Sequence, residues 1–293
     1  MLTGASSGIG RAAALMFAEH GAKLVLAARD GQALEELARE CRDTYGVEAV
    51  AAPTDVRDEL SVEALGGLAI ETFGRVDVWV NDAAVYMAGP LGECPTPAIR
   101  ELFETNVMGV VHGIRAALAC FRVTGSGGVI INVGSGAGKS AYAGAGPYCA
   151  SKHAVHALTR ALRQELRGTG IDACLVVPPT VDTPIFQHAA NYTGHELVAK
   201  RPIYDAKRAA REIVRQAIRP KDERRFGWTQ LFLSWLYRDQ ATGRASAGPT
   251  SGNFAAPREP HRIDGGWRAR RSPAKKLENA LRTGALPVLT TGG

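Results

Sequence analysis

The sequence predicts a three-layer α/β/α fold, built on a doubly wound parallel sheet with helices on both faces. Three observations predict it. Short apolar runs alternate with longer helical stretches from the first residue to about residue 218. The runs are nearly continuous in hydrophobicity, as strands buried on both faces must be. Each pair of runs is separated by enough residues for a crossover helix, which parallel strands require.

The elements follow in order. Residues 23–28 (KLVLAA), 47–51, 76–81, 129–133 and 171–177 read as strands. Residues 11–20, 32–45, 60–73, 98–121, 147–167 and 206–218 read as helices. A Gly-rich turn begins at Thr3 and leaves only Met1 and Leu2 for the central strand before it. Either the natural start lies upstream or the sheet tolerates a stub. Regular patterning stops near residues 226–228, so one α/β domain is expected over 1–228. A C-terminal extension over 229–293 should begin with a short apolar helix at 231–237 (LFLSWLY). From about residue 239 the composition turns to Gly, Pro, Ser, Ala and Arg, which predicts a tail of low order.

Composition narrows the function. With 293 residues and 45% hydrophobic content the chain can bury a full core. No apolar run approaches the ~20 residues of a membrane span, and the start lacks a signal-peptide pattern. A cytoplasmic protein without stable membrane insertion is expected. The cysteines Cys41, Cys94, Cys120, Cys149 and Cys174 are dispersed, which fits reduced thiols and gives no metal-ligand spacing. The net charge of +6 is spread through helices and the tail. With no recognition motif beside it, solubility and attraction of an anionic ligand explain it better than nucleic acid.

The turn Thr3-Gly4-Ala5-Ser6-Ser7-Gly8-Ile9-Gly10 opens directly into a helix. Its glycines allow a sharp bend and close approach of a pyrophosphate, and the helix N-terminus offers N–H groups and a positive dipole end. Set before a strand–helix–strand run, it reads as the dinucleotide loop of a Rossmann-type fold. The next strand ends in Ala28-Arg29-Asp30. Ala28 leaves room and the Arg29 guanidinium suits a 2′-phosphate, while Asp30 reads as a helix cap. NADP(H) is therefore expected over NAD(H). Gly138-Lys139-Ser140 imitates the end of a nucleoside-triphosphate loop, but position 133, where that motif needs glycine, holds Val133.

Ser135 follows the strand at 129–133, at the carboxyl end where ligands of open α/β sheets bind. Tyr148 and Lys152 come on the next helix, at i and i+4, so phenol and ammonium share a face. A free tyrosine titrates near ~10 and a neighbouring ammonium should lower that value. Tyr148 could then exchange a proton with an alcohol or carbonyl, while Ser135 hydrogen-bonds the same oxygen. Lys152 could also reach the nicotinamide ribose. The alternative is a non-catalytic dinucleotide-binding sensor on the same fold.

Together these motifs resemble the short-chain dehydrogenase/reductase family over residues 1–228, in a form with a long C-terminal tail. The resemblance implies Asn106 as a fourth catalytic residue that holds a water linking Lys152 to solvent. It implies Asp55 and Val56 along the adenine, and Asn81 stabilising the centre of the sheet. It sets Ala83 beside the cofactor, with Pro178, Val181 and Thr183 near the nicotinamide. It implies a small-molecule alcohol or carbonyl substrate, covered by residues 185–204, whose Ile185, Phe186, Tyr192, Leu197 and Val198 suggest an apolar pocket. A homodimer or homotetramer packed through the helices at 98–121 and 147–167 is also implied. The family's usual Asn-Asn-Ala-Gly stands here as Asn81-Asp82-Ala83-Ala84, and its Pro-Gly as Pro178-Pro179.

Overall fold

A seven-stranded, all-parallel sheet runs in the order β3-β2-β1-β4-β6-β7-β9. The computed structural model describes residues 1–199 and 201–227; the extension expected over 229–293, with its apolar stretch at 231–237, lies outside the described residues. The strands are β1 (Leu2–Thr3), β2 (Leu24–Ala28), β3 (Ala49–Pro53), β4 (Val78–Asn81), β6 (Gly128–Val133), β7 (Ile171–Val177) and β9 (Glu223–Arg225). A second small sheet pairs β5 (Met87–Ala88) with β8 (Ala190–Asn191). Order reverses between β1 and β4, which sets the crevice where such sheets bind ligands.

The central strand β1 has two residues and pairs on both sides. Leu2 pairs with Leu26 on one side and Val80 on the other. Met1 extends the ladder, donating its nitrogen to Val78 O at 3.0 Å and accepting from Val80 N at 2.9 Å. Leu2 is fully buried.

Helices α1 (Gly8–Glu19), α2 (Gly31–Tyr45) and α7 (Ala206–Ile218) cover one face. Their Ala14, Phe17, Leu34, Leu37, Ile213 and Val214 pack with Leu26, Val80 and Ile131 of the sheet. The other face is covered by α3 (Glu59–Phe73), α5 (Gly109–Thr124) and α6 (Gly146–Glu165). Here Trp79, Phe121 and Ile130 are the large buried side chains.

Sequence and structure part at several points. The single helix expected at 98–121 is α4 (Thr96–Phe103), a π-helical turn over Glu104–Met108, and α5. By length and composition alone the run Thr96–Thr124 could cross a membrane, contrary to the expectation that no stretch comes close. It packs instead as a core helix, with Leu102, Val110, Ala117 and Phe121 buried. Finally, β9 was not expected. Its segment ERR carries no apolar signal, since this three-residue edge strand buries none of its side chains fully.

Candidate active site

The loop after β1 makes the floor of the crevice. Gly4 has φ 72°, and a Cβ there would meet Ala83 N at 2.7 Å. A Cβ on Gly10 would collide with Gly4 O, so this glycine lets α1 close on the turn. Thr3 Oγ1 holds the loop to β4, donating to Val80 O at 3.3 Å and accepting from Asp82 N and Ala83 N at 3.2 and 3.4 Å. Ser7, at the N-cap of α1, makes no side-chain cap bond, whereas Asp30, Asp58 and Asp205 cap α2, α3 and α7. The positive end of α1 therefore lacks a cap of its own beside half-buried Ser6, Gly8 and Ile9. These are the features a pyrophosphate requires, and the residues fit a dinucleotide.

Arg29 is exposed at the end of β2 and forms no ion pair among the described residues. Asp30 Oδ1 accepts from Ala33 N at 3.0 Å, so the carboxylate is occupied as the expected cap. Asp55 is held by the Arg57 guanidinium at 2.6 Å, which keeps its carboxyl below the usual range. Val56 packs against Gly109 and accepts from His112 Nδ1 through its carbonyl at 2.9 Å.

Ser135, Tyr148 and Lys152 meet at the carboxyl end of β6. Ser135 Oγ caps a short 3₁₀ turn, accepting from Ala137 N at 3.1 Å. The Ser135 and Tyr148 hydroxyls are hydrogen-bonded. Tyr148 and Lys152 stand one turn apart on α6 and both are buried. Lys152 Nζ donates to Val133 O at 3.1 Å. One expectation about this group is corrected. Burial pushes the Tyr148 phenol up from its ordinary value, opposed chiefly by Ser135, rather than Lys152 pulling it down. Burial lowers Lys152, and the charge that counters this comes from Asp82.

Asn106 lies in the π-helical turn and is fully buried. Its Oδ1 accepts from Val85 N at 2.8 Å, and its Nδ2 donates to Val85 O at 2.9 Å and Ser151 Oγ at 3.1 Å. The side chain thus clamps β4's outgoing loop to α6, and π turns of this kind gather at functional sites. Asn81 Nδ2 donates to Asn132 Oδ1 at 2.8 Å while its Oδ1 accepts from Trp79 Nε1 at 2.9 Å. Asn132 Nδ2 passes the chain to Thr159 Oγ1 at 2.9 Å. Two strands and α6 are joined by this buried polar line, of which the sequence suggested only Asn81. Thr183 packs on Gly8, whose Cβ would approach Thr183 Cγ2 to 3.0 Å. Pro178 O accepts from Gly136 N at 3.0 Å, and buried Val181 bridges to Tyr204.

Two neighbours escaped the sequence reading. Tyr86 lies against Tyr148, ring centroids 4.5 Å apart, and meets Phe186 edge-on at 5.1 Å. His156 sits behind Ser135, whose N donates to His156 Nε2 at 3.4 Å. Gly134 and Gly138 leave the room it fills. An aromatic in a loop, as Tyr86 is, or an imidazole on a helix, as His156 is, gives no signal by itself. Lys139, part of the imitation triphosphate loop, pairs with Glu223 at 2.7 Å and ties this turn to β9.

The family model of the short chain dehydrogenases matches residues 1–193. The chain belongs to that family and is an oxidoreductase of its kind. An uncharacterized oxidoreductase of Bacillus subtilis, YxnA, is 37% identical over 230 residues, 78% of this chain and 64% of that protein. The chain therefore spans under two thirds of the length of that relative. A short-chain dehydrogenase/reductase from Burkholderia phymatum, solved in complex with NAD, superposes with TM-score 0.76 at 30% identity, covering 85% of this chain and 95% of that one. A short-chain dehydrogenase from Sphingobium yanoikuyae, solved with NADPH, gives TM-score 0.68 at 25% identity over 84% and 96%. A nicotinamide dinucleotide is the cofactor class these likenesses support.

Proposed function

We propose that this chain is an NADP(H)-dependent dehydrogenase or reductase acting on a hydrophobic alcohol or carbonyl compound, with Tyr148 as general acid and base. The observation that carries the reading is the cluster of half-buried Ser135 with buried Tyr148 and Lys152, beside an α1 whose N-cap Ser7 makes no cap bond. When bound, the nicotinamide supplies or accepts the hydride. Tyr148 gives a proton to the carbonyl oxygen or takes one from the alcohol, and Ser135 donates a hydrogen bond to the same atom. Lys152 holds the ribose, and Asn106 holds the water that links Lys152 to solvent. Thr183, Val181 and Pro178 orient the nicotinamide, while Asp55 and Val56 flank the adenine.

Arg29 supports NADP(H) over NAD(H), since it is exposed at the strand end where a 2′-phosphate would lie and forms no ion pair among the described residues. Tyr86, Phe186, Ile185, Tyr192 and Leu197 form an apolar wall over Tyr148, suited to a hydrophobic substrate and to keeping water out. The five buried, unpaired cysteines suit the cytoplasm, and we expect a homodimer or homotetramer. A panel of ketones, aldehydes and alcohols followed by NADPH absorbance tests the activity. Arg29→Ala should weaken NADPH by about ten- to a hundredfold and NADH little, the loss of a charge-assisted contact worth about 1.5–3 kcal/mol. Equal loss for both would contradict the cofactor assignment, and inactivity on a broad panel would favour the sensor.

A further inference from the structure

Ser135 sits in a turn with little side-chain restraint. Gly134, Gly136 and Gly138 alternate with Ser135 and Ala137, and glycine gives a backbone its widest freedom. Hydrogen bonds must therefore hold the turn. Gly134 N donates to Val176 O at 2.8 Å, Gly136 N to Pro178 O at 3.0 Å and Gly138 N to Ser135 O at 2.9 Å. Ala137 N donates to Ser135 Oγ at 3.1 Å. The remaining N–H, that of Ser135, donates to a side chain from another element, His156 Nε2 at 3.4 Å. The buried ring fills the space between two of the glycines: a Cβ on Gly134 or Gly138 would lie 2.4 or 2.5 Å from Nε2.

His156 stands on α6 one turn beyond Lys152 and two beyond Tyr148, on the side that faces the sheet. The helix thus holds the end of β6 at successive points. Lys152 Nζ donates to Val133 O, His156 Nε2 accepts from Ser135 N, and the Tyr148 and Ser135 hydroxyls are bonded to each other. To accept at Nε2, the neutral ring must carry its proton on Nδ1. Nδ1 is buried with no partner among the described residues, and a buried donor left unpaired costs stability. An apolar side chain would fill the same space without that cost, but would give Ser135 N no acceptor.

We propose that His156 is a positioning residue for the reaction: by accepting from Ser135 N it fixes the direction of the Ser135 hydroxyl, so that Ser135 and Tyr148 address the same substrate oxygen. The inference rests on the proposed oxidoreductase function, and His156 acts in it only through Ser135. Burial and the Lys139 ammonium keep the ring neutral, as an acceptor must be. A turn that drifts by about 1 Å leaves the hydroxyl out of line, and misplacement of that size can cost about a hundredfold in rate.

Two measurements on the full chain test this. Nitrogen-15 spectra of the histidine rings at pH 7 should show His156 as the neutral Nδ1–H tautomer, its signals assigned by their loss in His156→Gln. An Nε2–H tautomer overturns the inference, since Nε2 could not then accept; this result needs no apolar variant to fold. The second measurement is kinetic, with NADPH and the fastest carbonyl substrate of the panel. His156→Met fills the space without an acceptor. It should lower kcat by about ten- to a hundredfold while KM and NADPH affinity change by less than about twofold. His156→Gln keeps an acceptor and should recover most of that loss. Placed in a Ser135→Ala background, His156→Met should cost no further turnover, because a residue that acts through another is not additive with it. Losses that add in the double variant, or equal losses in His156→Gln and His156→Met, overturn the inference and leave the oxidoreductase reading intact. Inactivity of the parent across the whole panel overturns the two together.

Discussion

At the scale of single residues, burial dominates the ionisations at the site. Tyr148 is expected to act through its hydroxyl alone, so Tyr148→Phe keeps the ring packed against Tyr86 and removes only the acid. Turnover should fall by about 10² or more, the usual contribution of a positioned acid or base, with NADPH affinity nearly unchanged in a fluorescence titration. Lys152→Met should lose both rate and affinity. A Tyr148→Phe variant as fast as the parent would sink the mechanism. His156 gives a prediction of a different sort. Burial lowers its pKa to about 3 from the model-peptide value of 6.5, so it is neutral in the fold and protonates on unfolding in acid. Its contribution is present above about 6.5 and is lost as pH falls toward about 3. Melting curves between these limits should show a steep acid loss, flattened in His156→Gln, which still accepts from Ser135 N. An unchanged slope would show that other groups carry the acid sensitivity.

Among the elements, those whose sequence carried a period or a turn were legible, and those shaped by neighbours were not. α2 could be read at both ends, with Asp30 as cap and Gly46 in the left-handed conformation at its close. α7 matched its expected span because a strong apolar stripe faces the sheet. The break at Glu104–Met108 was illegible, since its cause is tertiary: Asn106 reaches across to Val85 and Ser151. The same holds for β5 and β8, two residues each, which exist only through one another. Tyr148 and Lys152 could be paired from spacing, but the Asp82 charge that faces Lys152 needed three dimensions. The small sheet ties the segment carrying Phe186 to the one carrying Tyr86. Ala190 N donates to Tyr86 O at 3.0 Å and Tyr192 N to Ala88 O at 2.7 Å. Ala190→Pro removes the first bond and should raise the substrate KM by up to about tenfold. NADPH affinity should not change, because the loop at Gly4–Gly10 is untouched. A parallel loss of cofactor binding would mean that this sheet supports the whole crevice rather than its substrate side.

The whole molecule leaves one helical layer with an outer surface suited to a second copy of itself. On α6 the outward side chains include Ala150, Ala154, Ala157 and Ala161, small enough for two helices to approach closely. Beside them on α5 stand the partly exposed Val111 and Leu118, flanked by Arg115 and Arg122. On the catalytic side α6 carries buried Tyr148, Ser151 and Lys152, so the same helix would serve both the site and the interface. A two-fold axis through this layer would pair each patch with itself, the commonest way for a homo-oligomer to close. The expected result is a dimeric or tetrameric mass by light scattering at micromolar concentration. Ala157→Arg should lower that mass to the monomer, because an isologous contact brings the new charge against its own copy or into an apolar seam. Since Ala157 is exposed in the single chain, the far-ultraviolet spectrum and the fold should survive. Activity would then report whether α6 needs its mate to hold Tyr148 and Lys152 in register. A parent that is monomeric under these conditions would remove the α5–α6 surface as an interface. An unchanged mass in the variant would move the contact to another face.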